Sequence, residues 1–283
     1  MKIRVGCDLT YECAAPTPMV LMLNVHRSRA ADLLAPDRIR VAPIRPLSIY
    51  TDVFGNTCCR LIAPAGDIRI VTDTVVADSG LPDPVVPDAR QHAVADLPHD
   101  ALVFLVGSRY CETDRLMDFA WSTFGKTPEG WARVQAIVDF VHGHITFDYM
   151  RARVTRSAAD VLDERVGVCR DYAHLAVALC RCMNIPARYA TGYLGDIGVP
   201  FDPAPMDYSA WFEVYLGGRW YTFDARHNEP RIGRIVIARG RDAADVAITT
   251  SFGRHRLKNF TVWTDEVTEA SMPAMPMREQ MVA

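Results

Sequence analysis

An α+β fold is what this chain predicts, with an N-terminal β-sandwich domain over residues 1–100 and a mixed core over 101–245. Three observations lead there. The first hundred residues carry strand-like runs broken by prolines, the pattern turns helical from about Ala101, and two aromatic runs flank a Gly-Gly pair near residue 217. Residues 246–283 read as a C-terminal extension, because the pattern weakens after Gly240, with a loose tail from Met272 to Ala283.

The strands come first. Met19 to Val25 is nearly continuous apolar, Ile39, Val41 and Ile49 fall among prolines, and Phe54-Gly55-Asn56 marks a turn. Ile68 to Val76 alternates on one side, as a half-buried strand does. Pro82-Asp83-Pro84 and Pro87 open a connecting stretch. Asp114 to Phe124 then forms a helix, and Thr127-Pro128 supplies an N-cap and a first-turn proline for a second. Trp131, Val134, Ile137, Val138 and Val141 line one face of that second helix. His142 and His144 close it ahead of a short strand, Ile145 to Tyr149. A helix over Ala158 to Glu164 leads into a glycine-containing loop, and Tyr172, Leu175, Ala176, Leu179 and Met183 give the next helix a core face that ends before Pro186.

Composition narrows the function. With 283 residues and 49% hydrophobic content, the chain can fill two cores. A net charge of -3 with no run of like charge excludes the electrostatic footprint of a nucleic-acid or membrane-surface binder. The N-terminus, Met1 to Asp8, lacks the apolar stretch of a signal peptide, and no segment is long enough to span a bilayer. Eight cysteines without zinc-like spacing fit a reduced, cytoplasmic setting, and neither metal nor cofactor is expected.

The chemistry centres on Cys169, in Gly167-Val168-Cys169-Arg170-Asp171-Tyr172. A cysteine in the first turn of a helix meets free backbone N–H groups and the positive end of the macrodipole, which favours its thiolate. A buried structural cysteine is the plainer reading of the residue alone. Downstream, Tyr208 to Leu216, Gly217-Gly218 and Arg219 to Asp224 read as a two-residue hairpin. That turn pairs Leu216 with Arg219, Tyr215 with Trp220, Glu213 with Thr222 and Trp211 with Asp224. Position 209 and Asp224 then share a face, roughly 7–8 Å apart.

These blocks, together with Asn184-Ile185-Pro186-Ala187-Arg188-Tyr189 and Gly192-Tyr193-Leu194, resemble the bacterial transglutaminase-like superfamily from about Gly130 to Gly240. The resemblance implies a papain-like core with a Cys-His-Asp triad. Carried over, Cys169 matches the nucleophile and Asp224 the orienting acid. Where the family usually has His-Ala-Trp, this chain has Ser209-Ala210-Trp211, and a serine hydroxyl does not titrate as imidazole does. His227, three residues beyond Asp224, is a possible surrogate base if the strand ends and the loop folds it back. His174 lies about 140° around the helix from Cys169 and reads as a polar partner. His142 and His144 read as helix-end partners.

Trp211 lines an acyl site or packs in the hairpin, and Tyr110 belongs to a substrate-contacting loop or to an interdomain turn. Glu213 is a surrogate acid or an exposed strand glutamate. The favoured function is hydrolysis, or acyl transfer, of a peptide or isopeptide amide through a Cys169 thioester. The alternative is an inactive fold of the same kind that binds a peptide or protein partner.

Overall fold

β1 (Lys2–Cys13) buries every second side chain, Ile3, Val5, Cys7, Leu9, Tyr11 and Cys13, so one face of the strand is core. The computed structural model describes residues 1–267. After β1 come β2 (Thr17–Leu21), β3 (Arg40–Ala42), β4 (Ser48–Thr51), β5 (Thr57–Ala63) and β6 (Gly66–Ala77). A long coil leads to α1 (His99–Leu102), α2 (Thr113–Phe124) and α3 (Trp131–His144). β7 (Thr146–Phe147), α4 (Ala158–Glu164), β8 (Val166–Gly167), α5 (Cys169–Cys182) and β9 (Ala187–Tyr193) follow. The chain continues through β10 (Ser209–Leu216), β11 (Arg219–Phe223), β12 (Ile235–Gly240), β13 (Thr249–Ser251) and β14 (His255–Glu266).

Two four-stranded sheets build the N-terminal layers, in the orders β14-β1-β6-β3 and β13-β2-β5-β4. Their inner faces meet in one apolar cluster that holds Ile3, Leu9, Ile68 and Ile70 from one sheet and Met19, Leu21 and Leu61 from the other. Residues 246–283 were expected as an extension, but 249–266 depart from that reading. β13 pairs with β2, and β14 pairs with β1 along nearly its whole length. The alternation of β14 is poor because most of its side chains are exposed, and backbone pairing with β1 rather than apolar burial holds it. The tail expected from Met272 to Ala283 lies outside the described residues.

The core layer is a third sheet, β11-β10-β9-β12, with α5 against it and α2, α3 and α4 packed around α5. Every residue of α5 from Asp171 to Cys182 is buried, so this helix runs through the centre of the layer. The face of α3 read from the sequence is buried as expected, but its N-terminus is not where Thr127-Pro128 suggested. Thr127 instead donates its hydroxyl to the Phe124 carbonyl at 2.6 Å, closing α2, and α3 starts at Trp131, whose N–H donates to Ala89. The hairpin register from Phe212–Phe223 to Leu216–Arg219 is the one that the Gly-Gly turn dictates, with φ of 54° at Gly217 and 86° at Gly218. Among the described residues, no helix is long and apolar enough to cross a membrane.

Candidate functional site

The turn before Cys169 is built by a buried carboxylate. Asp171, fully buried in the first turn of α5, accepts the Val168 N–H at 3.0 Å and the Arg156 and Arg170 guanidinium groups at 3.1 and 3.0 Å. Gly167 is required beside it, because a Cβ there would lie 2.6 Å from the Asp171 Cβ. Cys169 is thereby fixed as the first residue of α5, as the glycine loop and the downstream periodicity anticipated.

Cys169 is half-buried, and the other seven cysteines are buried. The Ala210 backbone N–H, at the start of β10, favours its thiolate. Burial pushes the thiol up to about 11. Arg226 and the Ala210 N–H pull it down, while Asp207 and Asp224 add to the rise. Desolvation thus opposes the thiolate that the helix terminus favours. Cys169 should still react with iodoacetamide before the other seven, because it alone is accessible, and its rate should climb steadily between pH 7 and 10. Peptide mapping across that range checks both points, and a rate already flat at neutral pH would contradict the raised thiol.

Ser209 begins β10 opposite Gly192, and its carbonyl accepts the Thr191 hydroxyl at 3.0 Å. The ladder with β11 stops at Phe212–Phe223, so the expected Trp211–Asp224 pair does not form. Asp224 instead closes its own loop. Its Oδ1 accepts the N–H groups of Arg226 and His227 at 2.9 and 3.1 Å. Its Oδ2 accepts from His227 Nδ1 at 2.8 Å and from Arg234 at 2.9 Å. Burial alone would raise this carboxyl, but Arg234 first and then His227 hold it well below the usual carboxylate range. The loop is clamped from outside as well: His142 Nδ1 donates to the Arg226 carbonyl at 3.0 Å, and Gln135 donates to the Asn228 side chain at 2.9 Å.

Because β11 ends at Phe223, His227 folds back instead of following strand alternation. With Nδ1 on Asp224, its Nε2 is the free nitrogen, and the residue lines a cavity of about 310 Å³ together with Ser209, Tyr149, Asp207 and Arg226. Asp224 lies behind this wall and lines a separate small space with Asp83, Trp131 and Asn228.

The remaining sequence candidates fall elsewhere. Trp211 is buried under the Arg234 guanidinium, 5.1 Å from the ring centre, and does not line the cavity, so it steadies the arginine that holds Asp224. Tyr110 stacks on His174 at 5.1 Å, away from the cavity. His174 is buried and accepts from the Ala243 N–H at 3.1 Å, the polar partner its helical position suggested. His144 bonds the Leu162 carbonyl at 2.7 Å. Glu213 is buried rather than exposed, paired with Arg188 and Arg239, because the adjacent strand β9 and, beyond it, β12 carry those arginines over it. Two residues were missed. Arg234 left no trace in the motifs, and Arg226, between Asp224 and His227, had no partner nearby in the sequence to mark it.

A thiol thus opens a buried helix, beside a four-stranded antiparallel sheet with a His–Asp pair at its edge. Residues 119–225 match the transglutaminase-like superfamily core. A solved structure described as a candidate cysteine protease, from Cytophaga hutchinsonii, superposes with a TM-score of 0.80 at 32% identity, over 96% of this chain and 93% of that one. An uncharacterised protein of Mycobacterium leprae is 25% identical over 260 residues, covering 87% of this chain and 90% of its own length. One from Mycobacterium tuberculosis is 29% identical over 148 residues, covering 47% of this chain and 46% of its own length. The chain belongs to the transglutaminase-like superfamily. The match to the superfamily core takes in Cys169, Ser209 and Asp224 and ends two residues before His227.

Proposed function

We propose that this protein is a cysteine-dependent amide hydrolase or acyltransferase acting on a peptide or isopeptide bond, with Cys169 as nucleophile, His227 as general base and Asp224 orienting it. The observation that carries this reading is the 2.8 Å hydrogen bond from His227 Nδ1 to Asp224, which leaves Nε2 as the free imidazole nitrogen on a cavity wall shared with Ser209. The neutral imidazole takes the Cys169 proton as the sulfur attacks the amide carbon. The tetrahedral oxyanion then collapses, the C–N bond breaks, and the amine leaves with the proton that His227 held. Water, or an acceptor amine, next adds to the thioester, and the C–S bond breaks to return the thiol. A thiol resting near 11 makes this base necessary, because little thiolate exists at neutral pH without it.

That same raised thiol, with serine at the usual base position, favours a second reading in which the cavity binds a peptide and does not turn it over. A peptide library separates the two. Turnover by the wild type, abolished in Cys169→Ala, supports the enzyme. Silence of the wild type, with peptide capture unchanged in Cys169→Ala, supports the binding protein.

A further inference from the structure

We propose that Arg226 recognises a carboxylate of the substrate, placed beside the carbonyl that Cys169 attacks. The inference rests on the reading of Cys169 as nucleophile and names the chemistry that its substrate carries. Arg226 lines the same cavity as Ser209 and His227. Its backbone is held from both sides, the N–H by Asp224 at 2.9 Å and the carbonyl by His142 at 3.0 Å. Its guanidinium lies over the Phe147 ring, 4.0 Å from the centre, so the planar fork has a seat before any ligand arrives.

Unlike Arg234, which spends its donors on Asp83 and Asp224, Arg226 has no carboxylate within ion-pair range among the described residues. Five N–H donors fixed in a fork, half-buried and without an acceptor among the described residues, suit a bidentate carboxylate. A cation held in this way costs desolvation that a ligand anion offsets.

The charges around it define where that anion sits. Asp196, Asp202, Asp207 and Asp265 line the same cavity, as does a second cation, Arg231, which donates to the Gly195 carbonyl and faces Asp196 at 3.9 Å. Three of them are already engaged: Asp196 accepts the Asp202 N–H, Asp202 the Ala204 N–H and Asp207 the Tyr208 N–H. These acids oppose a second anion along the loop that carries three of them. Phe147, which lies under the Arg226 guanidinium, pairs with Gly167 two residues before Cys169, so this cation sits toward the thiol end. The substrate anion therefore belongs at the thiol end, as a free C-terminal carboxylate or an acidic side chain next to the scissile bond.

Thiol reagents of matched shape test this without knowledge of the substrate. Iodoacetate and iodoacetamide react alike: the thiolate sulfur bonds to the methylene carbon as the C–I bond breaks and iodide leaves. The iodoacetate-to-iodoacetamide rate ratio at Cys169, read by peptide mass spectrometry, should exceed that of N-acetylcysteine by about tenfold, the effect of one hydrogen bond between charged groups. Arg226→Gln should return the ratio to the free-thiol value or below it. A wild-type ratio at or below that of N-acetylcysteine overturns the proposal, and this arm needs no variant to fold. An elevated ratio that survives Arg226→Gln overturns it as well. Either result, with Cys169 still labelled first, leaves the nucleophile assignment standing. Failure of both reagents to label Cys169 would bring down the two readings together.

Discussion

Replacing His227 by alanine should slow acylation of Cys169 at neutral pH by about 10²–10⁴-fold, the range of general-base catalysis. The loss should be that large because burial holds the thiol near 11, so the uncatalysed route draws on a trace of thiolate. His227 has a free Nε2 on the cavity wall and a Nδ1 locked to Asp224 at 2.8 Å, the tautomer a base requires. The release of p-nitrophenol from p-nitrophenyl acetate follows the step directly. Ser209→His gives the counterpart: with His227 serving as base, a second imidazole at 209 should change the wild-type rate little, yet restore part of the rate in the His227→Ala background. A large gain from Ser209→His alone would mean that the wild-type site lacks a working base.

Asp224→Asn should destabilise the fold by about 3–5 kcal/mol, a large part of the 5–15 kcal/mol typical of a folded protein. The amide can still accept the two backbone N–H groups at Oδ1, but its N–H₂ would face Arg234, which is buried and would lose one of its two carboxylates. The sign of the pH dependence follows from the depressed carboxyl. Its unfolded value is about 4 and its folded value lies lower, so its contribution is complete above pH 4 and fades as pH falls toward the folded value. Urea unfolding of wild type and Asp224→Asn should therefore differ most near pH 7 and converge below pH 4. A constant difference across that range would show that the carboxylate's charge is not what is lost.

Much of this site was legible in the residues themselves. Gly167 ahead of an apolar-periodic helix located Cys169, and Gly217-Gly218 set a hairpin register that the backbone reproduces pair for pair up to Phe212–Phe223. Both signals are local, set by turn geometry and helical period. What escaped was decided by distant parts of the chain. The burial of Glu213 depends on arginines 25 and 26 residues away along the chain, and the pairing of β14 with β1 joins segments about 250 residues apart. The state of the Cys169 thiol escaped for the same reason, since a helix start is read from sequence but the apolar wall that raises the thiol is assembled from several elements. The place of His227 turned on where β11 ends, and strand ends are weakly marked when Ala225-Arg226 could have continued the run.

On this mechanism Cys169 carries an acyl group whose formation His227 promotes. The most direct measurement is peptide mass spectrometry of protein quenched during the p-nitrophenyl acetate burst at neutral pH. A hydroxylamine-sensitive acetyl group is expected on the Cys169 peptide, close to one per chain in the wild type and strongly reduced at the same time point in His227→Ala. Acetylation confined to other residues, or equal occupancy of Cys169 in the two proteins, would contradict it.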